Sequence, residues 1–147
     1  MAKYITATLA VTSNAYTATT NPGPTSTPQA ISVTDLLDVT EVQSKIITGD
    51  GSHGILWDAS TIASSLAAGT DGAFVYLKNL HATAHFYIGH GSSTALEGGT
   101  ETTRLMTLLP GEFAWFPWDL TADIIHDSNG TAADGLEAII FVRTGTA

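Results

Sequence analysis

His81, His85 and His90 stand close together in the second half of the chain, and histidine is a common metal ligand. On a strand, even spacing puts His81 and His85 on one face. A zinc or iron site needs three or four ligands converging, with their orientation fixed from behind. His81 instead falls at a turn and His90 lies between glycines in "GHG". His53 and His126 also sit among turn residues. All five read as polar positions near loops, and no metal is expected.

Paired carboxylates are the second chemistry to weigh. Glycoside hydrolysis places two of them across a sugar, and Glu112, Asp119 and Asp123 flank an aromatic stretch. With 14 acids in the chain such neighbours arise by coincidence, and no two are marked for burial. There is no G-x-S-x-G elbow, no P-loop and no dinucleotide fingerprint. "GHGSS" follows a strand pattern with no helix after it, so a phosphate would find no helix N-terminus there. The chain has no cysteine, which excludes disulfides, thiol nucleophiles and thiolate metal sites. The expectation is a protein that is not an enzyme and takes no cofactor.

Aromatic surface is the third possibility, in "LLPGEFAWFPW", Leu108 to Trp118. On a strand, Phe113 and Trp115 point one way and Ala114, Phe116 and Trp118 the other. Both faces are apolar, so both call for cover. Pro117 removes a ladder hydrogen bond and points to an edge or a strand end. Three readings are open: burial on both sides within one domain, a subunit interface where aromatics are enriched, or a platform for sugar.

The balance of charge narrows the partners. Lys and Arg total 5 against 14 Asp and Glu, a formal charge of −9. That surface repels phosphate, so neither nucleic acid nor an anionic membrane is expected as a partner. No apolar run reaches membrane-spanning length. "MAKYITATLAV" lacks the continuous apolar core of a signal peptide and alternates instead, which predicts a strand.

The elements that must position these residues are strands. The N-terminal strand fades into "TSNAYTATTNPGPTSTPQA", which holds three of the five prolines and no apolar period, and reads as a loop or extended arm. Short β-prone runs follow in "ISVTDLLDVT", "EVQSKIIT" and "ILWDAS", with turn chemistry in "TGDGSHG". "TIASSLAAGTDG" reads either as a turn or two of helix capped by Ser60 or Thr61, or as a strand edge. "GAFVYLKNL" alternates, with Phe74, Tyr76, Lys78 and Leu80 on one face and Val75, Leu77 and Asn79 on the other. "AHFYIG", "RLMTLL", "EFAWFPW", "ADIIHDSNG" and "GLEAIIFVRTG" complete the set, and Pro110-Gly111 fits a type II turn. Frequent turns without long helical periods predict an all-β, single-domain β-sandwich or jelly roll over residues 1–147. Residues 1–30 form its N-terminal strand and Pro/Thr-rich arm, and 31–147 its body.

Four segments of the second half carry a family resemblance: Tyr76 to Asn79 ("YLKN"), Tyr87 to Gly89 ("YIG"), Leu109 to Trp118 ("LPGEFAWFPW") and Glu137 to Arg143. Their succession resembles small bacteriophage virion β-proteins, and most of all capsid decoration, or cement, proteins. The resemblance implies a β-sandwich or jelly roll, a homotrimer, and a seat on the capsid outer surface where subunits of the major capsid protein meet. It implies no reaction. The regions expected to make contacts are Tyr4 and Ile5 of the first strand, the arm at Asn21, Pro22, Pro24 and Pro28, and the aromatics Phe113, Trp115, Phe116 and Trp118. The rival expectation is a carbohydrate- or receptor-binding β module of a tail or fibre, which needs Trp115 or Trp118 exposed.

Overall fold

The computed structural model describes residues 7–11, 29–33, 39–49, 51–64, 72–92, 95–96, 103–130 and 132–143. By its contacts the chain falls into two units, Met1–Asp38 and Val39–Ala147. In the first unit, β1 (Ala7–Val11) pairs antiparallel with β2 (Gln29–Val33), Ala7 opposite Val33 and Val11 opposite Gln29. The boundary expected at residue 30 therefore falls inside β2. Tyr4, Ile5, Asn21, Pro22, Pro24 and Pro28 lie outside the described residues.

The second unit holds β3 (Val39–Gly49), β4 (Gly54–Trp57), α1 (Ala59–Ser64), β5 (Ala73–Asn79), β6 (Phe86–His90), β7 (Arg104–Leu108), β8 (Phe113–Trp118), β9 (Ile124–Ser128) and β10 (Ala132–Arg143). The antiparallel pairs are nested: β3 with β10, β4 with β9, β5 with β8, and β6 with β7. One long hairpin is thus rolled up, and the roll adds the pairs β10 with β5 and β9 with β6. The result is two four-stranded sheets, ordered β3-β10-β5-β8 and β4-β9-β6-β7. This is a jelly roll, an all-β sandwich as the turn-rich sequence predicts.

Alternation decides what fills the space between the sheets. β5 buries Ala73, Val75, Leu77 and Asn79 and leaves the residues between them half-buried, which is the phase its sequence predicts. In β10, Leu136, Ala138, Ile140 and Val142 are all fully buried. They meet Phe86, Ile88, Leu108 and Ile124 from the second sheet, with Leu56, Trp57 and Ile62 closing one side. Burying one such apolar side chain stabilises by about 1.5–3 kcal/mol.

The ambiguous segment after β4 resolves as helix α1, but its cap is neither Ser60 nor Thr61. Asp58 precedes the helix, and its Oδ1 accepts from the Thr61 amide at 2.8 Å and from the Ser60 hydroxyl at 2.7 Å. A carboxylate one residue before the first helical position is the geometry of an N-cap. These bonds, the Thr61 amide first, hold the Asp58 carboxyl below its usual range. At Pro110-Gly111 the expected type II turn is present. Gly111 has a φ of 81°, and the Glu112 amide donates to the Leu109 carbonyl at 3.0 Å.

Candidate functional site

The aromatic strand β8 is an edge of the first sheet, and its alternation splits the expected contact residues between two environments. Phe116 and Trp118 turn inward. Trp118 is a core residue, and its indole N–H donates to the Ala122 carbonyl at 2.9 Å. Gly72 seals this end, since a Cβ at that position would run into the Trp118 carbonyl oxygen. Trp118 is therefore unavailable to a partner or a sugar. Phe113 and Trp115 turn outward, and Phe113 is 55% exposed.

Register shows what surrounds them. Three cross-strand rows run over the outer face of this sheet: Val42, Phe141, Phe74 and Pro117; then Ser44, Ile139, Tyr76 and Trp115; then Ile46, Glu137, Lys78 and Phe113. All but Ser44, Glu137 and Lys78 are apolar or aromatic. Val42 at 55% and Ile46 at 66% exposed stand open to solvent on β3. Trp115 stacks on Phe74 with ring centroids 5.2 Å apart and 16° between planes, and its centroid lies 5.4 Å from that of Phe141. β8 and β10 are two strand spacings apart, about 10 Å, so the indole leans off the edge toward the middle of the sheet. Burial first, and the nearby Glu137 carboxylate second, raise the Tyr76 phenol above its usual pKa.

The reason this face is apolar lies partly in β3. Its inward positions are Glu41, Gln43 and Lys45, half-buried, while Val42 and Ile46 look outward. The neighbouring strand β10 must bury Leu136 to Val142 on alternate positions, and register then carries Gln43 and Lys45 to the inner side. The Lys45 ammonium is placed 4.0 Å from the centroid of the Trp57 ring, a cation–π contact at the margin of the sandwich. Burial lowers the pKa of Lys45. Inward-pointing charge on an edge strand is a known guard against unwanted strand addition.

The second sheet differs. Its outer side is covered by the chain itself at Leu96, which is fully buried. The Leu96 amide donates to Asp127 Oδ2 at 2.6 Å, and its methyl groups come within 3.0 Å of where a Cβ on Gly89 would stand. Beside it the Arg104 guanidinium lies 4.4 Å over the Tyr87 ring. β9 is consequently buried along its whole length. The glycine inside "YIG" was the signal available for this close approach. Buried Asp127 gave none.

The remaining candidates serve local structure. His81 Nδ1 accepts from the amides of Thr83 at 3.0 Å and Ala84 at 2.8 Å. Glu112 accepts from the Leu109 amide at 2.8 Å and so braces the Pro-Gly turn. Asp119 accepts from the Thr121 hydroxyl at 2.7 Å and from its amide at 3.1 Å, bonds that lower its pKa. Asp123 Oδ1 accepts from the Ala59 amide at 2.9 Å. Among the described residues no three of His, Asp and Glu come together as metal ligands.

Asn79, the last residue of "YLKN", is fully buried and ties three segments together. Its side-chain amide donates to the carbonyls of Ala84 at 2.8 Å and Leu108 at 2.9 Å, and its oxygen accepts from the His81 amide at 2.9 Å. Its backbone closes the circuit, donating to the Glu112 carbonyl at 2.9 Å and accepting from the Gly111 amide at 3.0 Å. The alternation of "GAFVYLKNL" puts Asn79 on one face with Val75 and Leu77, as found, but no local pattern announces the bonds it makes there.

No family model matches the chain, and no curated protein matches it. Among solved structures, a chain from Bacillus endospore appendages, described as a novel family of disulfide-linked pili, is similar at 19% identity with a TM-score of 0.43. The match covers 72% of this chain and 87% of that one.

Proposed function

We propose that this chain is a non-catalytic structural protein of a bacteriophage virion that binds the major capsid protein and reinforces the capsid exterior. The observation that carries the reading is the open apolar face of the first sheet, with Trp115 leaning over its middle. Contiguous apolar patches beyond a few hundred Å² mark surfaces that meet another protein. Aromatic residues are enriched in such contacts and tryptophan is prominent among their hot spots. The carboxylates Glu112, Asp119 and Asp123 serve turns and a helix start, which leaves them engaged in structure rather than chemistry. The resemblance to decoration proteins adds its support. Its motif residues sit at fold nodes: Asn79 in the hydrogen-bond hub, Gly89 beneath Leu96, and Pro110-Gly111 in the turn joined to Asn79. Several copies acting together would turn weak individual contacts into firm attachment, because each further contact becomes intramolecular.

The test is co-sedimentation of the purified chain with phage heads from which it has been stripped or deleted. Saturable binding to heads, and a higher melting temperature of the loaded heads, support the reading. Binding to tails or to host polysaccharide, with none to heads, would favour a receptor-binding module instead.

A further inference from the structure

We propose that the outer face of the first sheet pairs with the same face of a second copy of this chain, about a two-fold axis running parallel to the strands midway between β10 and β5. The inference rests on the reading of this face as a protein-binding surface and names what covers it in free solution, before the capsid does. It departs from the three copies implied by the family resemblance, since an isologous two-fold contact closes at two.

Register sets the pairing. Four strands have their midline between β10 and β5, so rotation about that axis lays every cross-strand row on its own reverse. The row Ile46, Glu137, Lys78, Phe113 then meets Phe113, Lys78, Glu137, Ile46. Ile46 lies across from the partner's Phe113, and Glu137 from the partner's Lys78. The two most exposed apolar side chains of opposite edges cover one another, and the two charges of the face find their opposites. In the next row Ile139 meets the partner's Tyr76, and in the last Phe141 meets the partner's Phe74. Trp115, leaning inward onto Phe74 and toward Phe141, stands near the axis, at the centre where binding energy concentrates.

Charge also selects a second copy. The chain as a whole carries −9, which opposes self-association over most of its surface. On this face Lys78 and Glu137 cancel, so it is the place where two copies approach without that opposition. On the second sheet Leu96 covers the middle of the outer side, and the exposed apolar side chains Ile55 and Leu105 stand on opposite edge strands. Face-to-face packing of two sheets is the arrangement already found within the sandwich. Strand spacing and rise give a footprint of about 400 Å² per copy. That is roughly half of the 800 Å² per partner of a standard interface. The pair is therefore reversible and dissociates on dilution.

Sedimentation velocity over a wide concentration range, joined with cysteine cross-linking, tests the pairing. The chain has no cysteine of its own, so introduced thiols report cleanly. Ile46 and Phe113 lie on opposite edges, three strand spacings or about 14 Å apart, so in the pair a thiol at either position stands one sheet spacing, about 10 Å, from the partner's other position and farther from its own counterpart. Both are more than half exposed, so the substitutions spare the core. Expected are a mass that rises to twice the chain mass with concentration, and a covalent dimer when Ile46→Cys and Phe113→Cys proteins are mixed and treated with a bis-maleimide just long enough to bridge one sheet spacing, about 10 Å, but not when either is treated alone. Ile46→Glu should weaken the association by about 10-fold or more, as truncation at a contributing interface position does. One mass at every concentration, cross-linking in the single-variant samples, or a dimer indifferent to Ile46→Glu would overturn the pairing. A monomer that still binds phage heads removes the pairing and leaves the capsid reading standing. A dimer that binds no head does the reverse.

Discussion

The side-chain amide of Asn79 donates to the carbonyl of Leu108 across 29 residues of sequence, at 2.9 Å and out of contact with solvent. That bond joins the end of β5 to the end of β7, and the Pro110-Gly111 turn then delivers the chain into β8. The aromatic face depends on it, because β8 takes its register from β5 immediately beyond this junction.

Asn79→Ala should therefore destabilise the whole sandwich. It removes two donors and an acceptor and leaves the Ala84 and Leu108 carbonyls and the His81 amide without that partner. The expected loss is about 3 kcal/mol or more, which corresponds to a fall in melting temperature of roughly 10 °C for a chain of this size. Thermal denaturation followed by circular dichroism checks it. A loss within a degree of wild type would mean the hub is decorative.

The two outward and inward tryptophans should separate cleanly. Trp118→Ala empties a core position and removes the bond to the Ala122 carbonyl, a loss of about 3–5 kcal/mol by denaturant unfolding. Trp115→Ala strips a half-buried residue from the open face, so its cost to folding should be less than half as large while its cost to association is the greater. Equal folding losses would contradict the inward–outward assignment of β8.

Leu96 covers the second sheet, and its removal should be felt there. Leu96→Ala should cost about 2–4 kcal/mol. Gly89→Ala should cost about 1–3 kcal/mol, since its Cβ would stand 2.8 Å from the Thr103 carbonyl oxygen and 3.0 Å from Leu96. Combining the two should cost less than their sum, because shortening Leu96 relieves part of the crowding. Strict additivity in urea unfolding would show that the two do not touch.

Asp58 gives a prediction in pH. Its folded pKa lies below the unfolded value, held down by the Thr61 amide and the Ser60 hydroxyl. Its contribution is therefore present above the usual carboxylate range and is lost as pH falls through the folded value. Asp58→Asn keeps an oxygen to accept the cap bond but cannot titrate. Below the carboxylate range the variant should lose less stability than wild type on further acidification. Parallel acid-unfolding curves would contradict it.

What the sequence reveals of this fold follows from period and from turns. Val75 and Leu77 alternate with polar or aromatic neighbours, so the phase of β5 is readable, and Pro110-Gly111 dictates its own turn. β3 is harder, because burying its apolar residues would turn Val42 and Ile46 inward. The more strongly apolar β10 fixes the register and turns them out. The two-sided burial of β9 is hidden as well, since Leu96 arrives from about 30 positions upstream and no local pattern announces it. Of the expected contact residues, Phe113 and Trp115 reach the open face, while Phe116 and Trp118 went inward by the period of a single strand.

The most direct measurement of the account is gold-labelled antibody imaging of intact phage particles. Label should spread regularly over the head. Label confined to the tail or its tip, or no label on any particle with the protein free in the lysate, would contradict it.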